Sequence, residues 1–434
     1  MDSGGIPGMA LAILEREEIA WVGGFGVRAK EDHSPVDEHT VFEAASLSKP
    51  VVAYVTLALV EAKRLDLDRP LLDYVAIPEL ADDRAGRITT RMVLAHMTGL
   101  QNERIGDQPL TLAFDPGERF RYSGEGFLLL QRVLETVSGK SLDELSRTVL
   151  LEPLGMMRSG FVWRDDFMSN AAVGHGNFRD PLTPTHPPVG RAPSSFHTTA
   201  HDYALFVRSI LRQEVLSSTT FEDMFAGHVH VAPGIDWGLG WALETTDGER
   251  AAWHWGDNSN SGFTAFVLAY PDHGNAILYF ANSRTGLSIV RGILAILGGT
   301  HVAADYMNYE THDAPTRRVR LAIDGAARLR GGQEGLRVYE RLRTEFPSSA
   351  FPESLLNDLG YRFLRLNRPA DAIAFFERNA QEFPRSSNAF DSLGDGYAAS
   401  GDKNAAIASY LRSYELDPRN ERALNEAARL RGEP

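Results

Sequence analysis

Apolar-rich runs of strand length occupy residues 6–14 and 19–27, and the polar tetrapeptide Glu15-Arg16-Glu17-Glu18 between them predicts a hairpin-like turn. Similar runs at 263–270 and 276–281 flank Pro271-Asp272-His273-Gly274, a turn by composition. Between these outer pairs the pattern changes to helical spacing. Residues 48–63 predict a helix with a buried apolar face, 127–137 predict another that Ser138-Gly139 stops, and 287–297 predict a final apolar helix. Strands at both ends with helices between them describe an α+β domain whose sheet is closed by its N- and C-terminal strands. The stretch 173–200 is rich in Pro, Gly and His and predicts a long loop near a site.

Beyond residue 315 the texture is amphipathic helix and short turn, and it repeats. Gly360, Ala372, Phe376 and Pro384 recur at one constant offset as Gly394, Ala406, Tyr410 and Pro418. Glycine lets two helices approach, alanine and the aromatic fill the contact, and proline stops the second helix. The pattern and its period resemble the tetratricopeptide repeat, a helix–turn–helix unit of about 34 residues. Tyr339 and Pro347 suggest a degenerate earlier copy, and 420–432 a closing helix. The expected division is 1–299, a linker at 300–315, and a helical repeat domain at 316–434. So few repeats are expected to dock on the first domain.

Composition narrows the chemistry. The 434 residues include no cysteine, which removes thiol nucleophiles, disulfides and Cys-ligated metals. The net charge of −14 is uneven: 314–434 hold 19 Lys+Arg against 17 Asp+Glu, a net of +2, which leaves −16 for 1–313. No broad basic surface for nucleic acid is expected, and no apolar run reaches the roughly 20 residues of a membrane helix. The N-terminus lacks the basic and apolar regions of a signal peptide. The chain as it stands is therefore expected in the cytoplasm, or in the periplasm if a signal was removed.

The remaining nucleophile candidates include Ser46-Leu47-Ser48-Lys49, which opens the apolar helix at 48–63. Serine three residues before lysine puts both side chains on one helical face. A buried ammonium with a depressed pKa can take the serine proton, and the helix N-terminus offers N–H groups to an oxyanion. The chain has only five lysines, so one spent on a core-facing helix stands out. A second Ser-x-x-Lys, Ser400 to Lys403, falls in a turn between repeat helices and reads as coincidence.

The order of the surrounding motifs adds a resemblance. Phe42-Glu43-Ala44-Ala45-Ser46-Leu47-Ser48-Lys49 is followed by His96-Met97-Thr98-Gly99-Leu100, then Arg121-Tyr122-Ser123, Leu151-Glu152-Pro153-Leu154-Gly155, Trp237-Gly238-Leu239-Gly240-Trp241 and His254-Trp255-Gly256. Together they resemble the serine β-lactamase-related family of class C β-lactamases, penicillin-binding proteins, esterases and D-amino-acid peptidases. The resemblance covers about 6–297. It implies a β-lactamase/transpeptidase-like antiparallel sheet with helices on both sides and an all-helical subdomain. It implies Ser46 as the acylated nucleophile, Lys49 as its proton partner, and Tyr122 as general base or relay, with Lys49 holding the phenol's pKa down. It places the oxyanion on the backbone N–H groups of Ser46 and Asp257, and substrate against His254, Trp255 and Gly256. The family usually has a helix before the first strand; only five residues precede Ile6, so either that helix is missing from the chain as given or its place is covered by something else, the repeat domain being one candidate.

Two departures shape the expected substrate. The third motif is often Lys-Thr-Gly, whose lysine and threonine help hold a substrate carboxylate; an imidazole and an indole are poorer anchors. Gly124 stands where the family's tyrosine motif has an asparagine that binds an acylamino group. Both favour a small or apolar acyl ester, with Trp255 as a flat wall. A D-amino-acid peptidase or weak β-lactamase is the alternative enzyme, and a non-catalytic ligand sensor with a partner-binding repeat module is the alternative of another class. No cofactor or metal is called for. Expected partners are a small-molecule ester or amide, and a peptide, a protein or a second copy for the repeats. His228 and His230 read as a surface strand, His175, His186 and His197 as exposed loop histidines, and His96 as a structural hydrogen-bonding residue. Among Trp237, Trp241, Trp253 and Trp255, at least two are expected in the core.

Overall fold

The computed structural model describes every residue except 2–3, 31–32, 81, 105–108, 247, 299 and 433–434. It divides into two compact units, Met1–His312 and Asp313–Pro434.

The first unit is built on an eight-stranded antiparallel sheet in the order β2-β1-β10-β9-β8-β7-β6-β5. β1 (Gly8–Glu15) and β2 (Glu18–Gly26) form the expected hairpin. β1 also pairs with β10 (Asn275–Ala281), so the ends of the unit lie side by side in the sheet. β10 runs back through β9 (Phe263–Tyr270) to β8 (Glu249–Asn258). The outer strands are β7 (Ala242–Thr246), β6 (Ile235–Trp237) and β5 (Val229–Ala232). A separate two-stranded ribbon joins β3 (Phe42–Glu43) to β4 (His197–Thr198). Of the strand-like approach to Ser46, only two residues are strand.

Alternation along the strands sorts side chains between two cores. Ala10, Ala12 and Leu14 of β1 face a core shared with α1 (Ser48–Glu61), α2 (Gly124–Ser138) and α3 (Ala200–Leu211). Met9 faces the opposite core with Trp237, Trp253 and Phe266, beneath α4 (Val290–Leu297). Trp237, Trp241 and Trp253 are all buried. α2 begins three residues before the expected start, because Ser123 caps it by accepting the N–H of Gly126, and Gly139 ends it in the left-handed conformation.

Two expectations change. His175 and His197 are buried, not exposed, and only His186 is exposed. The loop folds back on the sheet: His175 Nδ1 meets the Asn282 carbonyl at 3.0 Å, and His197 stands opposite Glu43 in the ribbon. The stretch expected as a linker belongs mostly to the first unit. It forms α5 (Ala303–Met307), whose first N–H groups are taken by the buried carboxylate of Glu244.

The second unit is all helix. α6 (Pro315–Arg330) and α7 (Gly332–Leu342) precede two helix pairs, α8 (Glu353–Arg365) with α9 (Pro369–Glu382) and α10 (Ser387–Ser400) with α11 (Lys403–Leu416); α12 (Glu421–Arg431) follows. The step from the start of α8 to that of α10 equals the step from α9 to α11, and both equal the period read from the sequence. A Cβ on Gly360 would lie 2.3 Å from the Phe376 ring, and one on Gly394 would lie 2.5 Å from the Tyr410 ring. Each glycine is thus the flat spot on which the next helix's aromatic rests. No helix of the described residues is long and apolar enough to cross a membrane.

Candidate active site

Ser46 sits in the 3-10 turn Ala45–Leu47 that leads into α1. Ala45, just before it, has φ +51°, a conformation that costs a non-glycine residue free energy and that surrounding structure must hold. β8 supplies that hold. A Cβ on Gly256 would lie 2.4 Å from the Ala44 carbonyl oxygen and 3.1 Å from the Ala45 methyl. The third motif therefore presses its backbone on the turn that carries Ser46, and only glycine permits the approach.

Lys49 is the second residue of α1, three residues after Ser46, and is buried. Its ammonium donates to Ser46 Oγ at 2.9 Å and to the Pro193 carbonyl at 2.9 Å. It also lies 4.8 Å from the centre of the Tyr122 ring. Among the described residues no carboxylate is a hydrogen-bond partner of Lys49, and burial pulls its pKa down from 10.5 to about 7.

Tyr122 has a buried hydroxyl. Desolvation pushes the phenol well above its ordinary value, with Ser46 beside it pulling the other way. Lys49 was expected to hold this phenol down; burial instead sets the direction, and the group that lowers the phenol is Ser46. The ring packs at a tilt against His96, centroids 4.3 Å apart, and His96 Nδ1 accepts the N–H of Ser123 at 3.0 Å. His96 thus has the structural role expected of it. It is buried, and desolvation keeps it neutral.

The predicted third-motif residues separate. Trp255 lines the cavity over Ser46, its ring stacked on Tyr122 at 5.6 Å. His254 does not line it. It points to the buried side, its Nδ1 is 2.9 Å from the Trp255 carbonyl, and burial lowers its pKa to about 3. Gly256 contributes its backbone contact with Ala44. Asp257 lines the cavity, and its carboxylate accepts hydroxyls from Ser259 and, at 2.9 Å, from Tyr309. Gly124 also lines it, where Asn102 O would stand 2.5 Å from any Cβ.

The cavity has a volume of about 660 Å³, and residues 185–195 of the long loop form one wall. Two contributors escaped sequence reasoning. Glu43, three residues before Ser46, accepts from Thr185 Oγ1 at 2.5 Å, Ser261 Oγ at 2.6 Å and Asn258 Nδ2 at 2.9 Å, tying the loop and the turn after β8 to the segment that carries Ser46. Its place inside the Ser46 motif was the available signal. Tyr309 had none. Among the described residues, no group of three or more His, Asp or Glu is arranged to hold a metal ion.

Comparison with known proteins places this geometry in context. A family model described as beta-lactamase matches residues 1–295. Penicillin-binding protein 4 of Amycolatopsis lactamdurans is 25% identical over 341 residues, 68% of this chain and 87% of the relative. Esterase EstB of Burkholderia gladioli is 30% identical over 184 residues, 35% of this chain and 47% of the relative. The solved structure of a penicillin binding protein from Bacillus halodurans superimposes with a TM-score of 0.61 at 23% identity, covering 69% of this chain and 98% of that one.

Proposed function

This chain belongs to the beta-lactamase family of serine hydrolases, and on that premise we propose that it is a carboxylesterase-type enzyme that forms an acyl-enzyme on Ser46 and acts on small or apolar acyl esters. The observation that carries the reading is the buried, carboxylate-free contact of Lys49 with Ser46 at 2.9 Å, with the amine's pKa brought to about 7.

Neutral Lys49 takes the Ser46 proton as Oγ attacks the ester carbonyl. The oxyanion is met by the N–H groups of Ser46 and Asp257, a contribution of roughly 2.7–4 kcal/mol per donor. Tyr122 stays protonated and serves as a relay: its hydroxyl gives a proton to the leaving alkoxide and regains one from the Lys49 ammonium. Water then attacks the acyl-enzyme, Lys49 and Tyr122 together take its proton, and Ser46 leaves as the hydroxyl. A base with pKa near 7 suits this work better than a phenol raised by burial.

Three features favour an ester over a peptide with a free carboxylate. His254 is buried, does not line the cavity and is kept neutral by burial, so it offers a substrate carboxylate no cation. Asp257 adds a negative group beside the oxyanion position. Gly124 leaves no side chain for an acylamino group. The named activity of the esterase relative agrees with this choice. The helical unit is read as a tetratricopeptide-like module that binds a peptide, a protein partner or a second copy.

The test is turnover of 4-nitrophenyl acetate and butyrate, with mass spectrometry of the acyl adduct. Adduct on the peptide holding Ser46, and at least thousandfold loss in Ser46→Ala, are expected. A Ser46→Ala protein as active as its parent overturns the mechanism. Preference for nitrocefin or D-alanyl peptides over simple esters replaces the esterase reading with its alternative.

A further inference from the structure

A second cavity, of about 300 Å³, adjoins the catalytic one and shares Glu43, Thr185 and His197 with it. Its other walls are mainly apolar, with Ala29, Val41, Trp163, Ala171, Val173 and Phe263 among them. The boundary between the two cavities is well defined. Glu43 and His197 are paired across the β3–β4 ribbon and form its floor. The segment 184–187, Pro-Thr-His-Pro, contributes residues to both cavities and crosses between them. Three contacts hold it: Thr185 on Glu43 at 2.5 Å, the His186 ring stacked on Trp163 at 4.0 Å, and the Trp163 N–H on the Pro187 carbonyl at 3.0 Å.

We propose that this second chamber receives the distal part of the substrate's acyl group, so that the enzyme prefers esters of medium-length linear fatty acids to acetate. The inference rests on the reading of Ser46 as the acylated residue. Glu43 is three residues from Ser46 and lines both cavities, so the wall that the two share belongs to the segment that carries Ser46. Of the three donors on Glu43, Ser261 and Asn258 lie outside the crossing segment and stay on its carboxylate when the segment moves. Thr185 is the contact that yields. It is exposed, so its hydroxyl turns to water while the chain passes beneath the segment, and burial of the chain must offset the loss of one hydrogen bond to the Glu43 carboxylate. Beyond it the chain leaves water for apolar walls, which favours each added methylene about fourfold in kcat/KM until the chamber is full.

The experiment uses the full chain and the 4-nitrophenyl esters of acetate, butyrate, hexanoate, octanoate and decanoate. The readout is the ratio of kcat/KM for octanoate to that for acetate, which a general loss of activity leaves alone. The expected ratio is tenfold or more. Ala171→Leu and, in a separate protein, Val173→Phe narrow the chamber; each is expected to cut the ratio at least tenfold, with folding checked by a thermal melt. A parent ratio of one or less overturns the proposal, as does an unchanged ratio in both folded variants. If Ser46 is acylated and the ratio is flat, the chamber fails and the catalytic reading stands. If Ser46→Ala retains full ester turnover, the catalytic reading itself fails.

Discussion

Replacing Lys49 by methionine should give a protein that is inactive and more stable at pH 7. Complete burial lowers the Lys49 pKa from 10.5 to about 7. The unfolded chain keeps its proton up to 10.5, whereas the folded chain gives it up near 7. The gap corresponds to about 5 kcal/mol at 1.36 kcal/mol per pH unit, lost to folding at pH 7. Methionine has nearly the same length and no charge. It gives up the hydrogen bonds to Ser46 Oγ and Pro193 O, which costs about 1 kcal/mol each. The expected net gain is about 2–3 kcal/mol. Its pH dependence is the sharper signature. Between pH 7 and 10.5 the unfolded state binds a proton that the native state does not, so the parent gains about 1.4 kcal/mol per pH unit from this group and the variant does not. The variant's advantage should therefore shrink by that amount per unit from pH 7 to pH 9. Denaturant unfolding followed by tryptophan fluorescence measures it, because all six tryptophans lie in the first unit. Ester turnover should fall at least about a hundredfold. Parallel stability curves for the two proteins, or a less stable variant at pH 7, would refute the reasoning.

Gly256→Ala places a methyl 2.4 Å from the Ala44 carbonyl and forces the Ser46 turn to move. Its kcat on 4-nitrophenyl butyrate should fall at least about a hundredfold, with a stability loss of about 1–3 kcal/mol in denaturant titration. His254→Phe bears on acid stability. The imidazole's pKa is lowered to about 3, so from pH 6.5 down to 3 the unfolded state binds a proton that the native state refuses, and the parent loses stability as pH falls. Phenylalanine removes that contribution, and the midpoint of acid unfolding should move to lower pH.

The strands were legible because a half-buried strand must alternate: the positions of β1 that face one core are Ala10, Ala12 and Leu14, and Met9 faces the other. Ser46, Lys49 and Tyr122 were legible as a set because short local motifs carry them, and the structure brings the three together. Their protonation was not legible. The phenol of Tyr122 was expected to be held down by Lys49, yet desolvation pushes it up, and desolvation is a property of the assembled fold. His254 shows the same limit: its motif position was readable, but the direction of its ring depended on which core β8 presents it to. Pro- and Gly-rich composition marked 173–200 as loop without revealing depth, which is why His175 and His197 were misjudged. Tyr309 reaches Asp257 from 52 residues further along the chain, with no periodicity to announce it.

The contact of Gly256 with Ala44 also bears on when the chain can become reactive. The turn that strains Ala45 and aims Ser46 is made early in the polypeptide, but its brace comes much later, on β8, and is itself held through β9 and β10 to β1. A ribosome-bound chain that ends before residue 281 owns a nucleophile without an anvil. With Ser46 as the acylated residue, hydrolysis is expected to arrive only with closure of the sheet, and a chain clipped before β10 is expected to leave esters untouched.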